Sequence, residues 1–217
     1  MLSVIVVSRD RYDSFDRCLT SIKEYLTDVE ICVGYDSDDD NTKKIALSHN
    51  ANIFEFSRQK NRHSGYINPI AKECNGDFIL SLNDDVEVVD AGDYQSLLLK
   101  HKHKLFYGIC SENWAIGNAK ADWEDHLKHR FACYPLISRI LFNTLGFYMP
   151  SEVSGPGADI AFSKIIFNSN LAEYEDVPIS IFDYGMSCSQ VGHYNRYDNR
   201  CLNRDIMKIN EFINNIS

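Results

Sequence analysis

Apolar and polar positions fall in short blocks along the first half of the chain, and the period changes from one block to the next. Leu2-Ser3-Val4-Ile5-Val6-Val7-Ser8 is β-branched and apolar on both faces, the pattern of a central strand in a parallel sheet. Phe15, Cys18, Leu19, Ile22 and Leu26 then recur at helical spacing, with Asp13 or Ser14 as the expected N-cap. Val29 to Tyr35 predicts a second strand, Asn41 to Ser48 a short helix and Ala51 to Phe56 a third strand. A helix from Gly65 to Cys74 leads into Gly76-Asp77-Phe78-Ile79-Leu80-Ser81-Leu82-Asn83-Asp84-Asp85, an apolar run that predicts a buried fourth strand ending in acids. Val86 to Val89, a helix from Asp93 to His101 and a strand from Leu105 to Ile109 follow. Alternating strands and helices with connections of a few residues predict an α/β fold, a doubly wound and mostly parallel sheet flanked by helices.

The second half is less regular. Ser111 to Phe131 reads as polar and irregular, Pro135 to Leu145 as an amphipathic helix stopped by Gly146, and Gly155-Pro156-Gly157-Ala158 as a breaker before a helix that opens on Asp159. Pro178 to Phe182 predicts a last strand, 185 to 199 a loop, and Cys201 to Ile216 a terminal helix. One domain over 1–217 is expected, with a nucleotide-binding half at 1–110 and an acceptor-side half at 111–217.

In an open parallel sheet, ligands sit beyond the carboxyl ends of the strands, so the residues that end each strand are the candidates for chemistry. The fourth strand ends in Asn83-Asp84-Asp85, and two carboxylates there suit a hard divalent cation. Taken alone, the same residues are equally an acidic turn. The first strand ends in Ser8-Arg9 and the second in Tyr35-Asp36-Ser37, while Arg62 lies in the polar, basic loop from Ser57 to Ser64. Asp36, Asp38 and Asp40 occupy the first, third and fifth positions of a calcium loop, but Asn41 stands where that loop needs Gly and Leu47 where it needs Glu. Asp38 to Asp40 then read as caps of the next helix. His101-x-His103 and His126-x-x-His129 have no companion ligand at motif spacing, so neither predicts a metal centre.

Charge narrows the partners. A net charge of −9 and a pI near 5.2 leave no basic face for nucleic acid, and an acidic chain that handles a polyphosphate is expected to do so through a metal. The seven cysteines include no C-x-x-C pair, which predicts reduced thiols and a cytoplasmic setting. No run approaches the roughly 18 apolar residues of a membrane span, and no secretory leader is recognisable, so no integral membrane segment is expected.

The ordered strand-end set resembles a GT-A glycosyltransferase, and more narrowly the inverting family 2 of nucleotide-diphosphosugar transferases in a compact form. The resemblance implies a metal-dependent transfer of sugar from a nucleotide donor, expected to be a UDP-sugar, to the hydroxyl of an unidentified glycan or other acceptor. Asn83-Asp84-Asp85 stands in for the D-x-D of that family, with Asn at its first position. By the same resemblance Asp85 is the expected ligand of Mn²⁺ or Mg²⁺, with His193 of Val191-Gly192-His193-Tyr194 as a further one. Ser8, Arg9, Asp36, Arg62, Asn83 and Asp84 are the expected nucleotide contacts, with Asp36 toward the uracil and Arg62 toward the diphosphate. Asp159, in Gly157-Ala158-Asp159, is the expected catalytic base, although an Asp opening a helix is also a common N-cap. A protein partner or a second copy is expected to complete acceptor recognition in so short a chain. A sugar-phosphate nucleotidyltransferase and a non-catalytic binding module of the same fold remain as alternatives; the first lacks its glycine-rich loop, since Ser8-Arg9-Asp10-Arg11-Tyr12 carries no glycine.

Overall fold

The computed structural model describes residues 1–58, 64–114, 124, 130–150 and 158–184. Within them the order is β1 (Leu2–Val7), α1 (Tyr12–Tyr25), β2 (Val29–Asp36), α2 (Asp40–Ser48), β3 (Asn52–Phe56), α3 (Ser64–Glu73), β4 (Phe78–Asn83), β5 (Val86–Asp90), α4 (Tyr94–His101), β6 (Phe106–Trp114), β7 (Pro135–Ser138), α5 (Arg139–Leu145), α6 (Ala158–Ser169) and β8 (Glu173–Asp183). The expected loop at 185–199 and helix at 201–216 lie outside the described residues.

Eight strands form one sheet in the order β3-β2-β1-β4-β7-β6-β8-β5. β3-β2-β1-β4 run parallel, as do β6 and β8, whereas β7 is antiparallel to both its neighbours and β5 is antiparallel to β8. Strand alternation sorts the core into two layers. Val4, Val6, Leu80 and Leu82 face one layer with Phe15 and Leu19 of α1, Ala46 of α2 and Leu98 of α4. Ile5, Cys32, Ile79 and Ile137 face the other with Ile67 and Ile70 of α3, Leu141 of α5 and Phe162 of α6. Helices on both faces make the sheet doubly wound, as the periodicity predicts.

Only Asp84 and Asp85 join β4 to β5, yet the two strands stand four places apart in the sheet. Flat strands would separate them by about 19 Å, while three chain steps reach about 11 Å, so the sheet must curl to return its β5 edge to the end of β4. The two acids sit at that closure. Val88 of β5 donates its amide to Ser21 Oγ on α1 at 3.0 Å, which ties the returning edge to the first helix. Gly76, before β4, passes so close to β1 that a Cβ would lie 2.6 Å from Ser3 N.

Three expectations need correction. Pro135–Ser138 is a strand, because it is inserted between β4 and β6; Ser138 Oγ then accepts from Leu141 N at 3.2 Å and starts α5, which ends on Gly146 at φ 78°. β6 runs on to Trp114, through residues expected to be irregular, since β8 offers it a parallel partner as far as Asp183. The register shifts after Cys110, where Pro178 cannot join the ladder as a donor. Finally, α1 is capped by neither Asp13 nor Ser14: Arg11 is its N-cap residue, and its carbonyl accepts from Phe15 N at 3.0 Å while its side chain goes elsewhere.

Candidate functional site

The loop from β1 to α1 is turned by Asp10, whose φ of 54° is in the left-handed region that Asp tolerates better than most residues. Its amide donates to Asp39 Oδ2 at 3.0 Å, and Asp39 also caps α2 by accepting from Thr42 N at 3.1 Å. Asp39 therefore fixes the loop that carries Arg9 and Arg11, and the expected cap is a support of the site as well.

The two arginines serve separate acidic groups. Arg9 Nε pairs with Asp36 Oδ2 at the end of β2, and Arg9 Nη2 donates to Tyr66 OH at 2.8 Å. The Tyr66 hydroxyl, in the first turn of α3, donates to Asp36 Oδ1 at 2.7 Å. Asp36 is only 1% exposed whereas the Arg9 side chain is 37% exposed, so a molecule arriving at this strand end meets the guanidinium first. Arg58 adds a further cation, with its Nε 3.1 Å from Asp38 Oδ1 and 3.6 Å from Asp36 Oδ2.

At the end of β4, Ser8 Oγ donates to Asp84 Oδ2 at 2.8 Å. Arg11 Nη1 lies between the acids, 3.0 Å from Asp84 Oδ1 and 3.1 Å from Asp85 Oδ2. Both acids are buried, and burial pushes the Asp84 carboxyl up to about 6, with Asp85 adding to the rise and Arg11 opposing it. Two hard oxygen donors holding a cation between them fit an oxygen-seeking divalent ion. Among the described residues no cluster of three or more His, Cys, Asp or Glu surrounds this point.

Asn83 has its own reason to be an amide. Its Nδ2 donates to Tyr134 OH at 3.3 Å, and that hydroxyl donates its one proton to Asp183 Oδ2 at 2.6 Å. Burial, reinforced by Asp183, keeps the phenol protonated by raising it well above the usual tyrosine range. A carboxylate at position 83 could not donate to the same oxygen.

Asp159 lies in the first turn of α6, half-buried, and accepts from Ile160 N at 2.9 Å through Oδ1. Ser8, Arg9, Asp36, Asn83, Asp84 and Asp85 thus gather at the carboxyl ends of β1, β2 and β4. Asp159 lies on α6, apart from these strand ends in the chain. Arg62 and His193 lie outside the described residues. Sequence reasoning overlooks Arg11, Tyr66, Tyr134 and Asp183. Arg11 stands two residues beyond the strand-end pair Ser8-Arg9; nothing in spacing signals Tyr134, which the pairing of β7 with β4 brings to Asn83, or Asp183, which lies at the end of β8.

The family match and the fold together place the chain in the GT-A class of glycosyltransferases. The family model described as glycosyl transferase family 2 matches residues 3–157, and the chain belongs to that family. No curated protein matches the sequence. Solved structures share the fold at low identity. A mannosyltransferase from Pyrobaculum calidifontis, in complex with GDP-Man and Mn²⁺, is 15% identical with a TM-score of 0.65, over 90% of this chain and 59% of that one. S. aureus TarS 1–349, in complex with UDP-GlcNAc, is 15% identical with a TM-score of 0.66, over 88% of this chain and 61% of that one. GalNAc-T7 with UDP, GalNAc and Mn²⁺ is 12% identical with a TM-score of 0.65, over 85% of this chain and 44% of that one. The chain therefore spans less than two thirds of the length of these similar structures. Among the described residues no helix is long and apolar enough to cross a membrane.

Proposed function

We propose that the chain moves a sugar from a nucleoside-diphosphate donor, expected to be a UDP-sugar, to an acceptor hydroxyl with inversion at the anomeric carbon. The observation that carries this reading is the placing of Arg9–Asp36 and Arg11–Asp84–Asp85 at the carboxyl ends of β2 and β4, on either side of β1, with both arginines supplied by the loop after β1. Complexes of similar folds with UDP-GlcNAc, GDP-Man and Mn²⁺ support the donor class and the metal.

Asp85, supported by Asp84, holds Mn²⁺ or Mg²⁺ in this reading. When bound there, such an ion neutralises the charge that develops on the leaving diphosphate. Ser8 holds Asp84 in place through its hydroxyl, and Asn83 supports the turn through Tyr134. Arg9 orients the nucleoside while keeping Asp36 in place, and Arg62 and His193 are assigned to the diphosphate and the metal on the family resemblance alone. Asp159, in the first turn of α6, takes the proton of the attacking acceptor hydroxyl, a role assigned on the family resemblance. Acceptor choice is assigned to the later part of the chain and to a partner or second copy.

The test is incubation with Mn²⁺ and a panel of nucleotide sugars, following the nucleotide product. Release of nucleoside diphosphate from one donor is the expected result. Release of pyrophosphate from a nucleoside triphosphate and a sugar phosphate would instead identify a nucleotidyltransferase, and retention of anomeric configuration would remove the inverting mechanism.

A further inference from the structure

Arg11 is an N-cap residue whose arrangement its helix does not explain. Its carbonyl starts α1, yet its side chain supplies no cap and bridges Asp84 and Asp85 instead. Both bonds come from a single nitrogen, Nη1. Among the described residues Nε and Nη2 engage no protein acceptor, and the side chain is 36% exposed. A permanent guanidinium–carboxylate lock ordinarily uses the planar fork, with two parallel N–H donors on one carboxylate. The neighbouring Arg9 divides its bonds between two nitrogens, Nε to Asp36 and Nη2 to Tyr66.

Resting on the donor and metal reading above, we propose that Arg11 is a positioning residue that occupies the acidic pair before the donor arrives and then exchanges the carboxylates for the donor diphosphate. Guanidinium recognises carboxylate and phosphate with the same N–H donors, so the exchange keeps every charge paired. The buried acids are never left facing each other without a cation, and the diphosphate gains one as it binds. Only side-chain torsions need change, because the Arg11 backbone is fixed by Phe15 N and its neighbour Asp10 by Asp39. The exchange also couples the two binding events: a divalent cation alone must displace Arg11 to no benefit, while cation and diphosphate together give Arg11 a new partner.

The test compares wild type with Arg11→Gln and Arg11→Lys. Mn²⁺ binding without nucleotide is read from the loss of the free Mn²⁺ signal in electron paramagnetic resonance, and UDP or GDP binding with saturating Mn²⁺ by calorimetry. Arg11→Gln should bind Mn²⁺ alone several-fold more tightly than wild type, and should bind nucleoside diphosphate with Mn²⁺ about tenfold or more weakly, the scale of one charge-assisted hydrogen bond. Arg11→Lys should fall between. If Arg11→Gln is unstable alone, Mn²⁺ should raise its melting temperature more than that of wild type, which keeps the comparison readable. Unchanged or weaker Mn²⁺ binding by folded Arg11→Gln overturns the proposal by making Arg11 a simple structural pair. Tighter Mn²⁺ binding with unchanged diphosphate affinity overturns the exchange. Wild type that binds Mn²⁺ but no nucleoside diphosphate overturns the donor reading itself, a different result from either.

Discussion

Replacing Asn83 by Asp would complete the D-x-D order that the family resemblance leads one to expect, and the structure predicts that this change is harmful. Tyr134 has one hydroxyl proton and gives it to Asp183 at 2.6 Å, so the atom facing Asn83 Nδ2 at 3.3 Å is an acceptor. The new carboxylate would turn a donor into an acceptor and add a charge near Asp84, Asp85 and Asp183. The lost hydrogen bond and the poorly satisfied oxygen together should cost about 2–3 kcal/mol. For a chain of this size that lowers the melting temperature by roughly 4–12 °C. Thermal denaturation of Asn83→Asp, Tyr134→Phe and the double variant forms a cycle: in the double variant the introduced carboxylate no longer faces the hydroxyl, so the effects should be less than additive. Asn83→Asp with wild-type stability, or additive losses across the cycle, would refute the reasoning.

Asp159→Asn should lower transfer by about 10²- to 10⁴-fold while leaving donor and Mn²⁺ binding intact, and parent turnover in that variant would remove the base assignment. Asp39→Ala removes a helix cap and the acceptor for Asp10, and should cost about 1–2 kcal/mol at pH 7 in urea denaturation. Burial works against the Asp39 charge, but the Asp10 amide and the Thr42 hydroxyl and amide hold its carboxyl below the usual range. Its stabilisation is therefore present above the unfolded pKa and lost as pH falls through the folded one, so the gap to wild type should narrow below about pH 4; a gap independent of pH would contradict this. Gly76→Ala should destabilise the chain because a Cβ meets the Ser3 backbone, and an unchanged urea midpoint would show that β1 and the 76 loop can separate freely.

The alternation of β-branched runs with helical spacing makes the doubly wound sheet legible, because burial on both faces leaves its mark on most residues of β1, β2 and β4. The strand-end positions follow from the same pattern. What stays hidden depends on tertiary closure. Pro135–Ser138 is too short to show a strand period, and its apolar residues merge with those of α5. The return of β5 to the end of β4 depends on pairing with β8, which lies far along the chain. Asn83 looks like a defect in a motif until the pairing of β7 with β4 places Tyr134 beside it, with Asp183 beyond. Arg11 is visible as a residue, but no local pattern signals that its side chain leaves its own helix for the end of β4.

The central claim is that Asp85 gathers a metal and a nucleoside diphosphate at the end of β4. Calorimetric titration of UDP and GDP into wild type and Asp85→Ala, each with Mn²⁺ and then with excess chelator, tests it most directly. Binding by wild type that requires Mn²⁺ and is abolished by Asp85→Ala is the predicted result. Equal binding in chelator, or wild-type binding by Asp85→Ala with Mn²⁺, would contradict it.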